Sequence, residues 1–345
     1  MSFHPPANPK ATPEACALYA FLQQISGKHT LAGQHNFINT GSAYTERLST
    51  ITGLQPVVWG SDFSFGCTGV DFPKYQHCGP MNITPPGETA RLIDTDPHSA
   101  RQALVQEAIA QRQKGSIVTL MWHCCFPTDG DFGPGNSIWA MENRPTREVW
   151  KQLVTPGTDL HSAWLTQVDR IASYLAQLRD AGVPVLWRPY HEMNGVWFWW
   201  CNQPGPDGFA QLWRNLYERF TVHHQLNNLL WVWNTNAPRA KAGDEAFPYA
   251  DFYPGSDCVD VLAADVYWHD YKQSHHDELV ELGGGRPIAL GEIGHFPAPH
   301  ILDEQPRWCW FMAWGNLAYK WNSDQVLRDI YHAPRMMTME SLSRG

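Results

Sequence analysis

Two glutamates stand apart from the other acidic residues of this chain. Glu192 directly follows an apolar run and precedes Asn194-Gly195, and Glu292 is embedded in Ala289-Leu290-Gly291-Glu292-Ile293-Gly294. An ionisable side chain in so apolar a stretch is costly unless it is paired or employed. Either glutamate alone could be a structural salt-bridge anchor. As a pair they suit one reaction in particular, the cleavage of a glycosidic bond. One acid, with its pKa raised, protonates the departing oxygen; the other attacks the anomeric carbon as a carboxylate, and water then releases the sugar with the first residue acting as base. A separation of about 5 Å between such carboxyls gives retention, and roughly 6.5–9.5 Å gives inversion.

Such a pair has to be held by rigid elements, and the chain supplies candidates at regular intervals. Eight β-rich runs are predicted as strands: His29–Phe37, Pro56–Phe65, Ser116–Cys124, Val183–His191, Asn228–Asn236, Val259–Tyr267, Pro287–Gly294 and Trp308–Asn316. Several are nearly continuous apolar segments, as strands covered on both faces require. Helical patterns lie between them. Asp159–Arg179 carries Leu160, Trp164, Val168, Ile171, Leu175 and Leu178 at spacings of three and four, and Gly182 and Pro184 stop it. Pro97–Lys114 and Asp207–Asn227 read the same way, whereas the helices after the fifth and seventh strands are poorly marked. Eight strand–helix units predict an α/β fold, a single (β/α)8 barrel over residues 1–345. An open dinucleotide-binding sheet is excluded, since no G-x-G-x-x-G follows the first strand.

In such a barrel the chemistry sits at the C-terminal strand ends. There the sequence places Gln34, His35 and Asn36; Asp62; Trp122 and His123; Arg188, His191, Glu192 and Asn194; Trp233, Asn234 and Asn236; Asp265, Tyr267 and Trp268; Glu292; and Trp314 and Asn316. All eight ends carry hydrogen-bonding or aromatic groups, and the two glutamates terminate strands roughly opposite one another.

Composition narrows the ligand. Seventeen tryptophans exceed what a core needs, so some are expected to face flat, partly apolar sugar rings, although most should be buried. The net charge of −9 speaks against nucleic acid and anionic membranes as partners and suits a neutral ligand. No apolar run is long enough to span a bilayer, and Met1–Pro9 does not read as a signal peptide. None of the eight cysteines forms C-x-x-C, so no metal is expected. Cys67 and Cys78 flank a loop where a disulfide would suit an exported protein, and Cys309 reads as a buried thiol.

The segment Trp187-Arg188-Pro189-Tyr190-His191-Glu192-Met193-Asn194-Gly195-Val196-Trp197-Phe198-Trp199-Trp200 closely resembles the acid/base motif of glycoside hydrolase family 26, the β-mannanase family in the clan of retaining (β/α)8 hydrolases. Most of that clan has Asn before the acid glutamate; this family has His. Gly33-Gln34, Asp62, Trp122-His123, Tyr253-Pro254-Gly255, Tyr267, Glu292-Ile293-Gly294 and Trp314 extend the likeness along the chain. The resemblance implies Glu192 as acid/base and Glu292 as nucleophile, cutting β-1,4-mannosidic bonds within mannan, glucomannan or galactomannan with no cofactor. It implies that His191 contacts substrate or tunes the glutamates, that Tyr267 bonds the nucleophile and holds it ionised, and that His123, Trp197 and Trp314 line the cleavage site. Asp62 is counted with the substrate-binding residues. On physical grounds Trp314 would floor the distorted sugar, Trp197 the next unit, and Arg188 would lower the nucleophile's pKa. Asn194 could hold either a loop or a sugar. β-Glucan or β-xylan as substrate, or exo action on manno-oligosaccharides, are the alternatives. A secreted or periplasmic monomer is expected.

Two other readings are weaker. A metal-dependent hydrolase could cluster His35, His123 and His191, but the H-x-H on strand one and the Asp on strand eight of such barrels are missing. A non-catalytic sugar-binding barrel would use the tryptophans but would not need both glutamates.

Overall fold

The eight runs become eight parallel strands in the computed structural model, which describes residues 3–38, 40–68, 74–77, 96–130, 137–139 and 144–342. They are β1 (Thr30–His35), β2 (Val58–Asp62), β3 (Ile117–Trp122), β4 (Val185–Pro189), β5 (Leu229–Asn236), β6 (Val261–Val266), β7 (Ile288–Ile293) and β8 (Trp308–Ala313). Each pairs with the next, and β8 pairs back onto β1, with Leu31 beside Trp310 and Gln34 beside Ala313. Closure leaves no unpaired edge in the ring. Most strands are a few residues shorter than predicted. Their last residues leave the ladder to present side chains at the barrel mouth, as His191 and Glu192 do beyond β4.

The opposite end of the barrel is plugged. Helix α1 (Pro13–Ile25) is capped by Thr12, whose hydroxyl accepts from the Ala15 amide. Its buried face of Ala15, Leu18, Tyr19, Leu22 and Ile25 joins one apolar cluster with Leu31, Ile117, Leu186, Leu230, Val261 and Ala289, all near strand beginnings. Each large aliphatic side chain buried there contributes about 2 kcal/mol. The Tyr19 hydroxyl donates to the Asp260 carbonyl, which ties the plug to the chain just before β6.

Around the ring, the predicted stripe of the helix Asp159–Asp180 is buried along its whole length. The faint helical signals also meant something physical. After β5 there is only a short 3-10 turn, Tyr249–Phe252, and after β7 a helix of six residues, Pro299–Glu304. Most of the loop from Gly66 to Asp96, including Cys78 and the Cys67 side chain, lies outside the described residues; within it Phe65–Thr68 pairs antiparallel with Lys74–His77. Cys309 is a buried free thiol, as expected, with its pKa pushed up to about 11 by burial. Among the described residues no helix is long and apolar enough to cross a membrane.

One irregularity matters for the site. Ala264 faces Leu290 across β6 and β7, but Asp265 faces Glu292, so Gly291 is an extra residue; β8 registers the same slip, with Phe311 beside Leu290 and Ala313 beside Ile293. A bulge of this kind bends the strand and re-aims the next side chain. Only glycine fits there, because a Cβ at position 291 would lie 1.7 Å from Oδ1 of Asn234 and 2.8 Å from Oδ1 of Asp265.

Candidate active site

Glu292 leaves the bulge on β7 pointing into the mouth of the barrel. Arg188, from β4, donates to its Oε1 at 3.0 Å, and the Tyr267 hydroxyl donates to its Oε2 at 2.9 Å. Negative charge on this carboxylate is therefore met by a guanidinium on one oxygen and a phenol on the other. Nε2 of His191 lies 3.7 Å from Oε1. Burial and the neighbouring Arg188 and histidines hold His191 far below the usual imidazole pKa, so it stands beside Glu292 as a neutral ring.

Glu192 is aimed by strained backbone. Tyr190 and Glu192 adopt φ of 49° and 55°, the left-handed region that costs a non-glycine residue about 1–3 kcal/mol. The Glu192 amide pays part of that back by donating to the Asn234 carbonyl at 2.7 Å. Its carboxylate accepts from Nε1 of Trp197 at 2.6 Å on Oε2, and from Nδ2 of Asn236 on Oε1. Burial and the charge of Glu292 push its pKa upward; Asn236, Arg239 and Trp197 pull it down, and the balance is about 7. The two glutamates of this site thus have unlike surroundings.

Asn234 on β5 joins these parts. Its Oδ1 accepts from Arg188 at 2.7 Å and its Nδ2 donates to Asp265 at 2.8 Å. Burial and the charges of Glu292 and Glu192 push the Asp265 pKa up from its usual value, while Arg188, 3.7 Å away, and Asn234 pull it down. His191, Glu192 and Asp265 bring potential ligand atoms within 4.8 Å of one another, the one such group of three among the described residues. Glu192, whose two oxygens already take N–H donors, and Asp265, which accepts from Asn234, make this group a poor cation cage.

A cavity of about 200 Å³ opens between the two glutamates. Besides the glutamates it is lined by His123, His191, Phe198, Trp139, Tyr267, Trp314 and Leu317. Glu192 and Glu292 keep 7% and 3% of their surface exposed, so both reach the cavity without being open to bulk water. Trp314 lies flat on His35, ring centroids 4.1 Å apart. Gln34 fixes the turn that carries it, donating to the Gly315 carbonyl at 2.8 Å.

The predicted residues fall at two depths. His123, His191, Tyr267, Trp314 and both glutamates line the cavity, while Asp62 and Arg188 are buried behind it. Asp62 accepts from Nδ1 of His123 at 2.7 Å and from the Ser64 amide at 2.6 Å, so it orients a cavity residue and does not face the cavity itself. Trp197 reaches the site through its bond to Glu192. Asn194 holds a loop: it donates to the carbonyls of Asn236 and Phe247, both at 2.8 Å. Four site residues escaped the sequence reading, among them Leu317, which follows the last strand with nothing to mark it. Phe198 stood within the quoted motif but was not separated from its aromatic neighbours, of which Trp199 and Trp200 turn out to be buried supports. Trp139 and Arg239 lie in loops with no periodic signal. Arg239 donates to Asn236 Oδ1, sits 5.2 Å over the Trp197 ring and is clamped by Asp244, with Nε at 3.0 Å.

Fold and site together define a (β/α)8 barrel whose strand ends converge on two unlike carboxylic acids. The chain belongs to glycosyl hydrolase family 26, whose family model matches residues 90–341. It is similar to GH26A from a Muricauda species, at 41% identity and a TM-score of 0.84 over 97% of this chain and 99% of that one. It is also similar to the Podospora anserina GH26-CBM35 β-(1,4)-mannanase, at 30% identity and a TM-score of 0.75 over 99% of this chain and 69% of that one. A mannan endo-1,4-β-mannosidase of Thermothelomyces thermophilus is 32% identical over 97% of this chain and 62% of its own length. The chain spans between 46% and 62% of the length of the first curated relatives it matches.

Proposed function

We propose that this protein is a retaining endo-β-1,4-mannanase whose catalytic domain is this one barrel, with Glu192 as acid/base and Glu292 as nucleophile. The observation that carries the reading is the contrast between the two carboxyls across one cavity. Glu292 receives Arg188 and Tyr267 on its two oxygens. Glu192 is raised to about 7 and still carries a proton to give near neutral pH. In the first step Glu292 attacks the anomeric carbon while Glu192 protonates the leaving oxygen. In the second, Glu192 takes a proton from water, which displaces Glu292. Trp314 offers an apolar floor for the sugar at the cleavage site, and His123, oriented by Asp62, a polar contact. The choice of mannan rests on the relatives' names. Export suits this substrate, since a polymer is met outside the cytoplasm.

Side-by-side assays on mannan, glucomannan, mixed-linkage glucan and xylan, with products sized, test this. Rapid loss of chain length on the two mannans, with little release from the others, is expected. Monosaccharide release without shortening of the polymer would mean exo action, and preference for glucan or xylan would move the substrate assignment.

Arg239 supports the acid at one remove, because it holds both residues that donate to Glu192. Its charge also lowers the Glu192 pKa. Arg239→Met is therefore expected to shift the alkaline limb of kcat/KM upward in pH and to lower kcat by roughly 10-fold through looser positioning. A loss of rate with an unmoved pH profile would limit Arg239 to a structural role.

A further inference from the structure

Of the seventeen tryptophans, twelve are fully buried and Trp197 and Trp314 nearly so. Trp268 is the opposite case, with 65% of its surface exposed. Its inner face stacks on Trp321, ring centroids 4.8 Å apart and planes at 27°, and Trp321 stacks in turn on His295 at 4.9 Å. The loop that presents it is held rigidly. Trp268 and His269 both take left-handed backbone, with φ of 57° and 60°, and the turn is closed by the Asp270 amide donating to the Tyr267 carbonyl at 3.1 Å. Asn322 fixes the base by bonding Gly294 and Phe296 on either side of His295, each at 2.9 Å.

This platform is continuous with the catalytic cavity. Tyr267, adjacent in sequence, lines the cavity and bonds Glu292, and its ring lies 6.3 Å from that of Trp321. Leu317, another lining residue, accepts from the Trp321 amide one turn along. An indole presents at most roughly 250 Å², far short of the about 800 Å² per partner that a stable protein interface buries. One pyranose ring is the right size, and the imidazoles of His269 and His295 at the edge could meet its hydroxyls.

We propose that the outer face of Trp268 is a remote sugar-stacking site that holds one unit of a β-linked glycan beyond the bond being cut, so that chains long enough to span both points bind more tightly. The inference rests on the carbohydrate-cleaving function proposed above. It is tested with Trp268→Ala and Trp268→Phe on oligosaccharides of increasing length and on polymer. For Trp268→Ala, kcat/KM should fall roughly 10-fold on the longest substrates, mostly through KM, and stay unchanged on the shortest one cleaved; Trp268→Phe should retain most of the parent's efficiency. An equal loss at every length would reduce Trp268 to a support for Tyr267, and no loss on long chains would remove the site; either result overturns the proposal. Affinity electrophoresis through soluble glucomannan gives a readout without turnover, in which Trp268→Ala should migrate faster than the parent; equal migration counts against the site. Failure of the underlying function looks different, since the parent itself would then cleave no substrate of any length.

Discussion

Glu292→Ala is expected to lower kcat on soluble mannan by on the order of 10⁵-fold, because a nucleophile that acts as one unit with its acid cannot be replaced by the rest of the site. Removing the carboxylate also strips Arg188 of its 3.0 Å partner inside the barrel. That leaves the buried guanidinium with the longer 3.7 Å pair to Asp265, and a weakened buried pair is costly, so the alanine variant should lose some thermal stability while staying folded. Glu292→Gln separates the two effects. Its amide oxygen can still accept from Arg188, and the Tyr267 hydroxyl can turn to accept from its NH₂. The glutamine variant should therefore melt close to the parent, remain as inactive as the alanine variant, and still be retarded by polysaccharide in affinity gels. Substantial turnover by either variant would place the nucleophile elsewhere.

The companion result concerns Glu192. With Glu192→Ala, polysaccharide hydrolysis should drop by roughly 10³-fold, the usual scale of a lost general acid. Aryl glycosides with good leaving groups need no proton in the first step, so their glycosyl-enzyme should still form. It would then accumulate, because the base that activates water is also gone, and added azide, which needs no base, should release it. Equal losses on good and poor leaving groups would argue against the assignment. The parent should show the same residue in its pH profile. Glu192 has to be protonated to act as acid, and its pKa stands at about 7, so kcat/KM should fall as pH rises through that value. The variant should lack this limb on activated substrates.

The barrel was legible in the sequence for a simple reason: strands covered on both faces are apolar throughout, and eight such runs separated by helix-sized intervals leave few other arrangements. The strand ends were legible because polar and aromatic residues interrupt those runs where the chain leaves the ladder. What stayed hidden depends on distance in three dimensions. Asp62 and His123 lie on neighbouring strands, and nothing in their spacing says that one faces the cavity and the other holds it from behind. Asn234 carries no motif, yet it meets Arg188, Asp265 and the Glu192 amide at once. Arg239 acts through Asn236, three residues upstream, and through Trp197 of another segment. The apparent surplus of tryptophan was mostly core, since indoles such as Trp187, Trp231 and Trp310 fill the space in and around the ring. Only the handful left over is available to a ligand.

The slip at Gly291 gives this barrel a division of labour. A side chain can relax into a new rotamer, but a strand hydrogen-bonded on both sides cannot change its register locally, so the direction in which Glu292 leaves the sheet is set by main-chain geometry. Loops that carry no support for Glu192 can then be lengthened, shortened or exchanged without disturbing the direction of Glu292, whereas those that carry Trp197 and Arg239 cannot. The converse also holds: with Asn234 and Asp265 pressed against the bare backbone of residue 291, no repacking elsewhere would rescue a side chain introduced there. The aim of Glu292 is locked from below, while that of Glu192 is set from the loops above.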